Sequence, residues 1–147
     1  MTNSDLISII TPFKNSSEFL NDCLESIINQ SYLNWELIII DDYSNDNSFQ
    51  LINSISQNDK RIKLYKNEGE KGIISCLRQG LNKCSGDYIT RMDSDDIMDK
   101  NKLKELHRSL KNCGKGYVST SKVKYFSKKG LGSGYEKYEN WLNKMMI

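Results

Sequence analysis

Short apolar runs and longer apolar stripes alternate along residues 1–112. LISIITPF is a short apolar run that stops at Pro12, the only proline, and it predicts a buried strand followed by a turn. SSEFLNDCLESIINQSY then places apolar pairs at Phe19/Leu20, Cys23/Leu24 and Ile27/Ile28, a four-residue step that predicts a helix capped by Ser16 or Ser17. WELIIIDDYS predicts a second strand, apolar on both faces and ending in acids. NSFQLINSI predicts a helix through Phe49, Ile52 and Ile55, and RIKLY a third strand. GIISCLRQGLNKC predicts a helix through Ile74, Leu77 and Leu81, DYITRM a fourth strand, and NKLKELHRSLKN a helix through Leu103, Leu106 and Leu110. Four strand–helix alternations predict an α/β fold, a mostly parallel sheet flanked by helices.

From residue 113 the rhythm changes, so the chain divides into residues 1–112 and 113–147. GYVSTSKVKYFSKKGLGSG predicts one or two strands and a glycine-rich turn. YEKYENWLNKMMI predicts an amphipathic helix with Tyr138, Trp141, Leu142 and Met145 on one stripe. An apolar stripe of that size favours association, here with a second copy through this helix or with parts beyond the chain.

In open parallel sheets ligands bind beyond the carboxyl ends of the strands. Polar residues collect at those ends: Thr11 and Asn15 after the first strand, Asp41 and Asp42 after the second, and Asp93, Asp95 and Asp96 after the fourth. Three such clusters on one sheet edge imply one site.

Composition narrows what that site serves. The 147 residues carry a net charge of +2 with no basic block, which gives no reason to expect nucleic acid as a partner. The start has no signal-peptide pattern and no apolar run spans a bilayer, so the expected location is cytoplasmic, at most peripheral on the inner membrane face. Cys23, Cys76, Cys84 and Cys113 form no C-x-x-C pair, and His107 is the one histidine. Buried thiols, not a zinc site, are expected.

The densest charge is RMDSDD, residues 91 to 96. Three carboxylates this close repel one another unless water or a cation intervenes. A solvated helix start is one reading, since Asp95, Asp96 and Asp99 would lie near the positive end of the next helix. It leaves the acids after the second strand unexplained. A calcium loop starting at Asp93 would need glycine and glutamate where Met98 and Lys104 stand. A phosphoacceptor receiver would carry its acid pair after the first strand, and here a whole strand–helix unit precedes Asp41. The remaining reading is a divalent cation held against a diphosphate. Residues 93 and 95 point the same way on an extended segment, and two carboxylates with substrate phosphates are a common Mg²⁺ environment.

At these residues the chain resembles the glycosyltransferases of family 2, whose Rossmann-like, nucleotide-diphospho-sugar-binding fold is called GT-A. ISIITPFKN is similar to the family's opening strand and loop, CLESIINQSYLNWELIIIDDYSNDNS to its helix, second strand and acid pair, and KGIISCLRQGLNKCSGDYITRMDSDD to its glycine-led helix and D-x-D strand. The resemblance implies transfer of a sugar, with inversion, from a nucleotide-diphosphate donor, most naturally UDP-linked, to a growing glycan or a lipid-linked acceptor. It implies that Thr11 and Pro12 line the base and ribose, that Asp42 accepts a hydrogen bond from the base with Asp41 assisting, and that Gly72 permits close backbone approach. It places Asp93 near the ribose and the metal's water shell, Ser94 beside the nucleotide sugar, and Mn²⁺ or Mg²⁺ on Asp95.

Departures from the family bear on these roles. Tyr43 stands where the family has glycine, which predicts a different loop. Arg78 stands where many members have asparagine, as a diphosphate contact or a solvated helix residue. The family's general base lies in a stretch resembling E-D-x-x-L-W. YEKYENWLN offers Glu136, Glu139 and Trp141 but places Lys137 at the base position, so no catalytic base is assigned and the chain reads as the donor-binding half. Two alternatives stay open: a nucleotide-sugar-binding module without catalysis, and a metal-dependent nucleotidyltransferase. The latter class has a glycine-rich basic loop that TPFKNSSEF lacks.

Overall fold

The computed structural model describes residues 5–113, 116–127 and 130–146. In chain order these form β1 (Ile7–Phe13), α1 (Leu20–Ile28), β2 (Trp35–Asp41), α2 (Ser48–Ser56), β3 (Ile62–Lys66), α3 (Ile73–Lys83), β4 (Tyr88–Arg91), α4 (Lys102–Cys113) and α5 (Ser133–Met145). The chain divides into two compact units, Met1–Leu103 and Lys104–Ile147.

The first unit is built on a parallel four-stranded sheet in the order β3-β2-β1-β4. Every residue of β1 and β2 is buried, as expected of strands covered on both faces. Alternate residues of β2 serve opposite faces. Leu37 and Ile39 join Ile9, Phe13, Leu24, Ile27, Ile52 and Leu103 in the larger core, whereas Ile38 and Ile40 pack with Cys76 of α3. β4 is an edge strand, and Ile89 there is half-exposed.

α3 turns a different face to the sheet from the one its large apolar residues predict. Ile74 and Leu81 are exposed and Leu77 half-buried, while Cys76 and Gly80 are fully buried. The cause is close approach. A Cβ at Gly80 would lie 2.5 Å from Ile10 Cγ2 and 3.2 Å from Ile40 Cδ1. Alanine at Gly80 gains about 1 kcal/mol of helix propensity. It also drives a methyl into β-branched side chains with no room to turn, an overpacking cost of about 1–3 kcal/mol. Gly80→Ala is therefore expected to destabilise the fold by up to about 2 kcal/mol, read by urea denaturation. A more stable variant would show that α3 can lift off the sheet.

At the amino ends of the strands, Glu36 ties three strands and a loop together. Its Oε1 accepts hydrogen bonds from Ser8 Oγ (2.6 Å), Ser85 N (2.6 Å) and Ser85 Oγ (2.9 Å), and its Oε2 pairs with Lys63 Nζ at 2.6 Å.

Two smaller expectations are also corrected. Neither Ser16 nor Ser17 caps α1, whose N-cap is Phe19 with no side-chain capping bond. The Ser16 hydroxyl instead meets Ser94 Oγ at 2.9 Å and Lys14 O at 3.2 Å. No strand forms among the described residues of 116–132. In that second unit the backbone is held by side chains of α5: Asn143 brackets Val123 through its N–H and carbonyl, and Glu139 accepts from Tyr125 N. Tyr125 packs between Tyr135 and Tyr138, and Tyr138 stacks on Trp141 at 5.6 Å. Among the described residues no helix is long and apolar enough to cross a membrane.

Candidate functional site

β1 has β2 on one side and β4 on the other, so the connections run in opposite senses from it. Such a reversal opens a crevice beyond the carboxyl ends of the strands. A cleft of about 370 Å³ lies there, lined by Pro12 to Ser16 after β1, by Arg91, Asp93, Ser94 and Asp95 after β4, and by Phe19, Asp42 and Ile73.

The acidic loop after β4 is fastened from below. Met92 N donates to Ile10 O, Cys23 Sγ to Asp93 O at 3.7 Å, and Met98 N to Ser26 Oγ at 3.0 Å. Ser94 is buried and joined to Ser16, which links this loop to the one after β1. Burial, and after it the charges of Asp96, Asp95 and Asp93, push the Cys23 thiol up to about 12, so it serves packing and not nucleophilic chemistry. Burial also raises the Asp96 carboxyl, with Asp93 and Asp95 adding to the effect. The loop carries more negative charge than its surroundings compensate. Arg91 answers part of it, with Nη2 2.7 Å from Asp93 Oδ1.

Asp42 is held just as firmly. Both its oxygens accept Gly72 N at 3.0 Å, and Oδ1 accepts Asn67 Nδ2 at 2.9 Å. Burial alone would raise its carboxyl; the Gly72 N–H, the Asn67 amide and the Lys14 charge outweigh burial and bring it below the usual carboxylate range. Gly72 itself sits at φ 131°, a conformation that favours glycine regardless of any ligand. Tyr43, beside Asp42, takes the left-handed φ of 59° that glycine would adopt freely, and its phenol donates to Gly69 O at 2.8 Å.

The cleft brings together Pro12, Asp42, Asp93, Ser94 and Asp95 of the sequence-based candidates. Thr11, Asp41, Gly72 and Arg78 are not among its lining residues. Thr11 is fully buried and its Oγ1 has no hydrogen-bond partner among the described residues. Asp41 Oδ1 accepts Ser44 N at 2.9 Å and so holds the turn after β2. Arg78 is exposed on α3. Lys14, Phe19, Ile73 and Arg91 also line the cleft; of these the sequence alone singles out only Arg91, as a neighbour relieving the repulsion of the acids. Lys14 was detectable as the cation at a strand's carboxyl end, but Phe19 and Ile73 resemble ordinary core positions.

Residues 8–146 match the family model of glycosyl transferase family 2, and the chain belongs to that family. Its fold is the GT-A fold. The chain is 47% identical over 111 residues to an uncharacterized glycosyltransferase of Haemophilus influenzae, an alignment covering 75% of this chain and 44% of that protein. It is 40% identical over 108 residues to the Escherichia coli UDP-Glc:alpha-D-GlcNAc-diphosphoundecaprenol beta-1,3-glucosyltransferase WfgD, covering 73% of this chain and 42% of WfgD. Among solved structures, S. aureus TarS 1-349 in complex with UDP-GlcNAc superposes with a TM-score of 0.63 at 26% identity, over 67% of this chain and 29% of that one. The chain thus spans less than half the length of these relatives.

Proposed function

We propose that this chain binds a UDP-sugar and a divalent cation, and that the protein it represents transfers the sugar, with inversion, to a hydroxyl of a glycan or a lipid-linked acceptor. The observation that carries this reading is the cleft at the strand-order reversal, into which Asp42, Asp93 and Asp95 all face. WfgD, by its name, uses UDP-Glc and a diphosphoundecaprenol-linked acceptor, and TarS has been seen with UDP-GlcNAc; both support a uridine donor.

Asp42 reads the base at the far side of the cleft, with Pro12 beside the ribose. Asp93 and Asp95 are the residues that would hold the cation. Two carboxylates completed by substrate phosphate oxygens are a fitting donor set for such an ion. Hard oxygen ligands of this kind suit Mg²⁺ or Mn²⁺. When bound, the ion would neutralise the leaving diphosphate. Lys14 lines the same cleft and adds positive charge toward the same group.

Calorimetric titration of UDP, with Mn²⁺ and with EDTA, tests the reading. Wild type is expected to bind UDP in a Mn²⁺-dependent way, and Asp95→Ala to lose at least about tenfold in affinity, the value of one good charged contact. Binding that is indifferent to EDTA, or intact in Asp95→Ala, would refute the metal assignment. Transfer of a radiolabelled sugar from UDP-sugar to acceptor then separates a transferase from a binding module.

A further inference from the structure

We propose that Arg91 exchanges partners as the donor binds: it releases Asp93 to the divalent cation and turns its guanidinium to the donor's diphosphate. The inference rests on the reading of the cleft as a metal and diphosphate site, and it gives Arg91 a role that neutralising its neighbours would not. Two N–H groups of Arg91, Nε at 2.9 Å and Nη2 at 2.7 Å, converge on one oxygen, Asp93 Oδ1. That oxygen is on a residue assigned to the cation, so guanidinium and metal compete for it. The pair is about half exposed on both sides (48% and 45%), and exposed pairs of this kind are weak and easily exchanged.

Arg91 also lines the cleft with Lys14 and Asp95, so its freed side chain stays within the volume the diphosphate would fill. It occupies the last position of β4, and residues 91 and 93 lie on one side of the extended segment. The planar fork of a guanidinium matches two phosphate oxygens at once. Three acids, Asp93, Asp95 and Asp96, crowd residues 93 to 96, so a cation adds to the charge balance of this loop without requiring Arg91 to leave it.

The exchange predicts effects of opposite sign. In Arg91→Gln, Mn²⁺ alone should bind about two- to fivefold tighter, because Asp93 is released from a weak pair. UDP in saturating Mn²⁺ should bind at least about tenfold weaker, because a charged contact to the diphosphate is lost. Mn²⁺ binding is read from the electron paramagnetic resonance signal of the free ion, UDP binding by calorimetry, and folding by the thermal midpoint. Arg91→Lys keeps the charge without the fork and should recover part of the UDP affinity. Mn²⁺ affinity that is unchanged or weaker in Arg91→Gln overturns the proposal, as does unchanged UDP affinity. Wild type that binds Mn²⁺ and UDP while Arg91→Gln behaves identically refutes only this role; wild type that binds neither refutes the donor-site reading and this role with it.

Discussion

Asp42→Ala is expected to cost about 2–3 kcal/mol of stability and at least tenfold in UDP affinity. The stability loss follows from burial. The Gly72 N–H and one Asn67 amide proton both end on the Asp42 carboxylate, and without it a buried donor is left with no acceptor, at about 1–3 kcal/mol. Asp42→Asn should lie between, since its Oδ1 still accepts Gly72 N while its amide turns a donor toward Asn67. The folded-state carboxyl is lowered, so its stabilisation is complete above the ordinary carboxylate range and declines as pH falls through it. The affinity loss follows from the proposed base contact. A variant that unfolds more easily yet binds UDP as wild type does would make Asp42 a loop anchor and nothing more.

Glu36 supplies the second large effect, on the opposite edge of the sheet. Burial on its own would raise this carboxyl; Lys63, the Ser8 hydroxyl and the Ser85 N–H and hydroxyl together bring it down to about 2 from 4.5. A depressed pKa stabilises fully above pH 4.5 and less and less as pH falls toward 2. The difference corresponds to about 3 kcal/mol. Glu36→Gln is expected to lose most of that at pH 7, and Glu36→Ala somewhat more, because Ser85 N then has no acceptor. The gap between wild type and Glu36→Gln in urea midpoints should narrow between pH 7 and pH 3. A gap independent of pH would place the stabilisation in packing and not in charge.

The two central strands were legible because β1 and β2 are covered on both faces, and such strands are written as unbroken apolar runs. α3 misled for the opposite reason. Its closest approach to the sheet admits Gly80 and Cys76, so its large residues Ile74 and Leu81 stand outward. Hydropathy ranks side chains by size and polarity and carries no information on interaxial distance. Ser16 misled because a tertiary partner, Ser94, is better placed for its hydroxyl than the helix start is. In the site, the acids were legible as acids after strands. Which strand ends meet is set by the order β3-β2-β1-β4, and that order brings Lys14 and Arg91 into one cleft. Nothing local to LISIITPFKN or DYITRM encodes it.

The central position of β1 also shapes how the molecule is born. Of the four strands β1 is made first, yet its outer neighbour β4 is made last, with Ile7 opposite Tyr88. Until residues 88–91 have emerged, one edge of ISIITPF has no partner, and Pro12 is the only residue there without an N–H to offer. The nascent chain is therefore most prone to pair with a stranger when three of its four strands are already in place. Synthesis rate across residues 42–87, and any chaperone that shields an apolar strand edge, become determinants of yield for a fold whose finished sheet pairs that edge along Ile7 to Ile10.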